Sequence, residues 1–519
     1  MLNTFGVKNL RSLKDTGAVK LAPITILLGE NSSGKSTFLR TFPLLKQSTE
    51  APTRSSILWF GKYVDFGDFD QALIREKGAK EIVFSFGLTV PDRIYSHTIR
   101  SSRMFKPNIE SKVIVDLRLS ALGKDGLTRT AGINLNIDGN LIKVDIGDSN
   151  RISSIVINGT DYSEYSDAFA YTSAVRILPF FQPKRESAKE GIFRPWWAGY
   201  IPDKVRENIS SILRQYVHGK TGDDSLLKMI YSAPVGSAEI MYQGFTKLSN
   251  TGTWRSKTSG LSIDSPSYVR FKDLLLLSRL SIALYNLDEI LDSTIKCVSY
   301  IEPIRASAQR YYRSQDISVK ELDSKGENLA MFLRNLSDRD RASLDEWTLG
   351  EFGFKILVNF IGGHVNLGVA FKSGNSGYNL ADMGFGYSQV IPIIVQLWTV
   401  LNKPYRAPVD SVYYTCVIEQ PELHLHPRMQ AKLAEILVAV INSAKKSGIV
   451  LRLIIETHSE VIVNKVGLMT ADGVIGKEDS TIVLFSKESE SSQTKVEFSN
   501  YSDDGVLQNW PFGFFDFEV

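Results

Sequence analysis

The run Gly29-Glu30-Asn31-Ser32-Ser33-Gly34-Lys35-Ser36-Thr37 has the spacing G-x-x-x-x-G-K-[ST]. The chemistry that spacing serves is the cradling of a nucleotide's phosphates. Its glycines let the backbone curl so that N–H groups from Asn31, Ser32, Ser33, Gly34 and Thr37 face the anion. Lys35 is placed to reach the β- and γ-phosphates, and the Ser36 hydroxyl to ligate Mg²⁺. The setting is the one the pattern requires: an apolar strand before the loop (PITILL, 23–28) and an apolar pattern at helical spacing after it (36–47). A helix start there also presents a favourable dipole to phosphate. A ligand-free glycine turn is the plainer account, and this setting argues against it.

A second group of candidate residues lies far along the chain. The apolar run 413–418 ends in Glu419-Gln420-Pro421-Glu422-Leu423-His424-Leu425-His426-Pro427. An acid at the end of a buried strand beside a phosphate loop suits the Mg²⁺ shell, and Glu419 holds that position. The next position, where a second acid would activate the attacking water, is Gln420. A glutamine orients water but cannot take its proton at neutral pH. Two readings follow: Glu422 supplies the base, or hydrolysis is slow and bound ATP acts mainly as a clamp. His424 and His426 are two apart, a spacing a metal can use. With no third ligand nearby and a proline opening a helix, a structural or dimer-contact role is the better expectation.

The apolar run LRLII (451–455) leads into Glu456-Thr457-His458-Ser459. A histidine at such a strand end can contact a γ-phosphate and report its presence, if the strand order sets His458 beside Lys35 and Glu419. Asp382-Met383-Gly384-Phe385-Gly386-Tyr387-Ser388-Gln389 opens the apolar helix VIPIIVQLW. Gly384, Gly386 and Ser388 at a helix N-terminus again suit phosphate. Taken alone this glycine/serine motif is a weak signal; as one of four elements in the expected order it is persuasive.

To bring both groups together the chain must form an α/β domain from its two ends. Continuous apolar strands such as LRLII point to a parallel sheet covered on both faces. Between the ends, residues 80–153 alternate apolar and polar (EIVFSFGLTV, KVIVDLRLSAL, INLNIDGNLIKVDIG), with turns such as Asp138-Gly139-Asn140, so an antiparallel β unit is expected. Helical patterns follow at 204–217 and 268–298; the latter is leucine-rich without clean heptads, predicting a packed arm rather than an extended coiled coil. The expected division is 1–80 and 341–519 for the nucleotide domain, 81–153 for the β subdomain and 154–340 for a mainly helical insertion.

The bulk numbers exclude little. With 519 residues, 43% hydrophobic and 23% charged, the chain has an ordinary globular composition sufficient for two or three units. Sixty basic against 57 acidic residues give +3, so a nucleic-acid surface would have to be local. Cys297 and Cys416 are far apart and predicted to be buried free thiols. No signal peptide, membrane span or low-complexity tract is expected, which points to the cytoplasm.

Together these motifs resemble the ABC-type ATPase heads of the SMC and OLD families, at both chain ends. The resemblance implies an ABC-ATPase head with ATP and Mg²⁺ as cofactors, and a homodimer in which Gly384, Gly386 and Ser388 of one subunit close over the ATP of the other. Lys8–Ser12, Val64–Gly67, Tyr300–Arg305 and Gly326–Leu329 are similar to stretches of OLD-like ATPases. The run 419–427 and the tail 510–516 (WPFGFFD) resemble the PtuA-like branch, the ATPase subunits of Septu and retron-associated anti-phage systems. About sixty residues follow His458, too few for the Toprim nuclease of OLD proteins. The resemblance therefore implies a separate HNH-type (PtuB-like) nuclease partner, DNA, and in the retron case a reverse transcriptase with its DNA and RNA. Two alternatives stay open. One is a stand-alone SMC/OLD-like repair or recombination ATPase that clamps DNA, for which Lys184-Arg185 or Arg305, Arg310 and Arg313 would matter. The other is a nearly non-hydrolysing scaffold.

Overall fold

A computed structural model of the chain describes residues 1–51, 53, 55–95, 110–123, 127–172, 176–184, 200–319, 321–372, 377–402, 413–487 and 493–510. They form two compact units. The first comprises Met1–Ala18, Gln47–Gly61 and Asp65–Ile295; the second, Val19–Lys46, Lys62–Val64 and Lys296–Val519. Arg185 and most of the 510–516 tail lie outside the described residues.

The second unit is a wound α/β domain. Its main sheet contains β1 (Ile24–Gly29), β2 (Val298–Ile301), β3 (Tyr413–Glu419), β4 (Val450–Glu456), β5 (Ser480–Ser486) and β6 (Lys495–Ser499), in the order β2-β3-β4-β1-β5-β6. The first five are mutually parallel and β6 closes the edge antiparallel. Every residue of β1 is buried, as are six of the seven in β3, β4 and β5, which is why these strands are apolar without alternation. Four helices matter for the site: α1 (Lys35–Leu39), α2 (Phe385–Asn402), α3 (Pro427–Lys446) and α4 (Glu460–Ala471). Side chains from α2, α3 and α4 join those of the sheet in one apolar core that contains Trp398, Leu437 and Val463. Cys297 and Cys416 are free thiols buried in that core. A smaller antiparallel sheet pairs Phe354–Ile361 with His364–Phe371, just before α2 in the chain.

In the first unit, eight strands run antiparallel in the order 160–161, 152–157, 140–146, 127–137, 110–122, 81–91, 2–10 and 13–15. Asp138 (φ 50°) and Gly139 (φ 89°) join two of them, and Asn158 (φ 50°) and Gly159 (φ 84°) another two. Paired positive φ angles are those of the tight hairpin turn that matches strand twist, which Asn-Gly and Asp-Gly adopt most readily. The helix Pro266–Lys296 buries twenty of its side chains, including all of Leu274–Leu277. Burial around the whole circumference marks a core helix, not a solvent-exposed coiled-coil arm.

Candidate nucleotide site

All the candidate residues lie in the second unit, at or near the C-terminal ends of its parallel strands. The loop leaves β1 through Gly29 (φ 151°), passes Ser32 (φ 60°) and Gly34 (φ 100°), and enters α1. Gly29 is obligatory: a Cβ there would lie 2.1 Å from the carbonyl oxygen of Phe485. Thr494 Oγ1 donates to the Ser33 carbonyl at 2.8 Å and pins the loop from the far side.

Lys35 is 3% exposed, and its Nζ donates back onto the loop, to the Gly29 carbonyl at 2.9 Å and the Glu30 carbonyl at 2.6 Å. Burial lowers its pKa, against the charges of Glu456, Glu30 and Glu422, which raise it. A largely desolvated ammonium whose hydrogen bonds, among the described residues, go to neutral carbonyls gains from an anion.

The acids line up through strand register. Glu419 ends β3, Glu456 ends β4, and the two are paired neighbours; Glu456 in turn stands opposite Leu27 of β1. Because β4 lies between β3 and β1, Glu456 is the acid nearer the loop. Ser36 Oγ donates to Glu456 Oε1 at 2.8 Å. Glu419, 2% exposed, is held by Arg40, whose Nε and Nη2 donate to its two oxygens at 2.8 Å each, and by the Tyr300 hydroxyl at 2.7 Å. That fork-on-fork geometry makes a strong ion pair, and it raises the Arg40 pKa, chiefly through the hydrogen bonds that Arg40 donates to Glu419. Arg305, 1% exposed, donates to the carbonyls of Glu419 (2.9 Å) and Gln420 (3.3 Å).

Beyond β3 the chain turns sharply. Gln420 (φ 40°) and His424 (φ 63°) take left-handed conformations unusual outside glycine, each costing about 1 kcal/mol. Such strain gathers at functional turns. Gln420 N–H donates to the Glu456 carbonyl at 2.8 Å, tying the turn to β4. Glu422 Oε1 accepts the backbone N–H of His458 at 2.7 Å, and burial raises its pKa. His458 itself is exposed; partial desolvation and then the charge of Lys35 hold its imidazole below the usual range. The His426 ring caps α3 through Arg428 N–H. No group of three metal-ligating His, Cys, Asp or Glu side chains occurs among the described residues.

Gly384 (φ 80°) is exposed, with open space where a side chain would go. A Cβ on Gly386 would meet the His424 carbonyl at 3.3 Å, so the first turn of α2 packs on the histidine loop. Ser388 and Gln389 point inward, at 5% and 0% exposure. The Gln389 amide pairs both ways with the Arg305 backbone, at 3.1 Å each.

These residues fit a hard divalent cation. The donors are all oxygen, and Glu456 Oε2, buried, has no hydrogen-bond partner among the described residues. Reasoning from sequence missed Glu456, Arg40 and Tyr300 as parts of the site. Glu456 had a signal, since LRLIIE ends in an acid just as the run before Gln420 does. Arg40 had none, being 379 residues from Glu419; Tyr300, 119 residues from it, lay in a stretch similar to OLD-like ATPases that carried no role.

Residues 278–463 match the family described as AAA ATPase domain, a segment that holds Glu419 and His458 but not the phosphate loop. No curated protein sequence matches the chain. Among solved structures, the chain is similar to the Smc head domain with an extended coiled coil bound to the C-terminal domain of ScpA from Pyrococcus furiosus. Identity is 12%, 96% of each chain is covered, and the TM-score is 0.34. It is also similar to the SMC head domain from Thermotoga maritima, at 9% identity over 96% of this chain and 98% of that one, with a TM-score of 0.34. Likeness at this level transfers no residue roles. Phosphate loop, parallel-strand order and family match together mark an ATPase-type nucleotide domain.

Proposed function

We propose that this chain is the ATP-binding, slowly hydrolysing subunit of a cytoplasmic anti-phage defence complex, and that ATP-dependent dimerisation of its heads controls a separate HNH-type nuclease. The observation that carries the nucleotide part is the state of the loop: Lys35 is folded onto its carbonyls and Ser36 rests on a buried carboxylate. On this reading Lys35 would exchange the Gly29 and Glu30 carbonyls for the phosphates, which the backbone N–H groups of 31–37 would also hold. Ser36 and a strand-end acid, Glu419 or Glu456, would hold Mg²⁺, which when bound offsets phosphate charge. His458, exposed beside the charge of Lys35, meets the γ-phosphate. Gln420 orients water without taking its proton, which supports slow turnover. Glu422 is the acid left for a base, with Oε1 engaged by His458 N–H and Oε2 without a partner among the described residues. Gly384, Gly386 and Ser388 close over the ATP of a second subunit.

The nuclease partner, and a reverse transcriptase with its nucleic acid, rest on the resemblance of the 419–427 run and the tail to PtuA-like proteins. The DNA-clamping alternative loses support at its basic cluster. Arg305 is interior, and Arg310 is paired with Asp382.

Two measurements test this reading. Titration with a fluorescent ATP analogue should show binding that Lys35→Ala abolishes; equal affinity in the variant refutes the phosphate-loop assignment. Mass spectrometry of what co-purifies with the tagged protein from its host should show an HNH-type nuclease. A clean protein in the presence of ATP would leave the DNA-clamping ATPase as the better account.

A further inference from the structure

We infer that Glu456, rather than Glu419, is the carboxylate that faces the divalent cation beside Ser36, and that Glu419 is a positioning residue anchored by Arg40 and Tyr300. The inference rests on the nucleotide reading of the loop and names the acid within it.

Four observations carry it. Ser36 Oγ is bonded to Glu456, at 2.8 Å, and not to Glu419. A hydroxyl has one proton and two lone pairs, so Ser36 can keep this bond while an oxygen lone pair faces a cation. Secondly, Glu456 is 2% exposed and its Oε2 has no hydrogen-bond partner among the described residues. A buried carboxylate oxygen left without a donor is costly, and a cation relieves that cost.

Thirdly, the oxygens of Glu419 are already taken, Oε1 by Arg40 Nε and the Tyr300 hydroxyl and Oε2 by Arg40 Nη2. To turn toward a cation, Glu419 would have to give up its neutralising guanidinium. Finally, the sheet order places β4 next to β1 and β3 one strand further away. With strands about 4.8 Å apart, the end of β3 lies about twice as far from β1 as the end of β4. The loop hydroxyl therefore meets the nearer acid.

The test is the Mg²⁺ dependence of nucleotide affinity, with a fluorescent non-hydrolysable ATP analogue titrated in EDTA and in excess Mg²⁺. Mn²⁺ bound with the analogue is followed by loss of the free-ion EPR signal. Glu456→Gln, nearly isosteric, should keep the EDTA affinity, lose the Mg²⁺ gain, and weaken Mn²⁺ binding by about 10- to 100-fold. Glu419→Gln should retain the Mg²⁺ gain. Glu456→Asp keeps the charge but withdraws it by one methylene, and should lose part of the gain; it decides the matter if the glutamine variant does not fold. A full Mg²⁺ gain in either Glu456 variant, or its loss in Glu419→Gln alone, overturns the inference. Failure of the underlying reading looks different: wild-type protein that binds no analogue, or Lys35→Ala that binds it normally, overturns both.

Discussion

Two glutamates end adjacent parallel strands in register, and the protein treats them differently. Glu419 is neutralised by Arg40, whereas Glu456 has only a hydroxyl on one oxygen. Burial first, and then the charge of Glu419, pushes the Glu456 carboxyl from 4.5 up to about 7, with Ser36, Lys35 and Arg40 pulling the other way. The sign follows from linkage. As pH rises past 4.5 the unfolded chain ionises this group while the folded protein keeps it protonated, so ligand-free stability falls across the window from 4.5 to about 7 and levels off above it. The full effect is on the order of 3 kcal/mol. Urea unfolding without nucleotide or Mg²⁺ should therefore show wild type losing stability relative to Glu456→Gln from pH 4.5 to about pH 7, with little further change above. Parallel profiles for the two proteins would mean that Glu456 is already ionised at low pH, and that its neighbours neutralise it more fully than their placement suggests.

Among elements, α2 and β3 are tied by one buried side chain. Gln389 on α2 closes a two-way pair with the Arg305 backbone, and the Arg305 guanidinium holds the carbonyls of Glu419 and Gln420. Gln389→Leu keeps the bulk but leaves a buried N–H and a buried carbonyl without partners, and should cost about 1–3 kcal/mol in the denaturant midpoint. If the tie also positions the acidic strand end, the variant should bind the ATP analogue more weakly in Mg²⁺ than in EDTA relative to wild type. Lost stability with unchanged Mg²⁺ dependence would reduce the tie to packing. This chain of contacts also marks where the sequence stops being legible. The loop, the apolar parallel strands and the Asp138-Gly139 turn are visible because each is local: a spacing, an uninterrupted apolar run, a pair of turn residues. The neighbour relation of β4 and β1 is not local, joining residues more than four hundred positions apart, and with it goes the assignment of the acid beside Ser36. Arg305 shows the same limit from the other side. In sequence it is one member of a basic cluster; in the fold it is 1% exposed and bonded to backbone.

At the scale of the whole molecule, one surface fact bears on assembly. Gly384 stands exposed at the start of α2, in a left-handed conformation, and beyond its chain neighbours no atom of the described residues lies within 4 Å of where a side chain would begin. The residue contributes nothing to its own core there, while Ser388 and Gln389 further along turn inward. An exposed glycine at a helix start has no packing reason to be small, but it lets a phosphate approach the backbone closely. If that phosphate belongs to a second subunit's ATP, charge at Gly384 should block assembly without touching the subunit's own nucleotide. Gly384→Asp is the suitable change, because aspartate tolerates positive φ and its carboxylate would repel the incoming phosphates. Sedimentation velocity with Mg²⁺ and a non-hydrolysable ATP analogue should show wild type dimerising, Lys35→Ala remaining monomeric because it binds no nucleotide, and Gly384→Asp remaining monomeric while still binding it. A Gly384→Asp protein that dimerises as wild type does would remove the glycine from the interface. Dimers equally present without nucleotide would separate assembly from ATP altogether, and leave the nuclease partner, if one binds, to be controlled by another route.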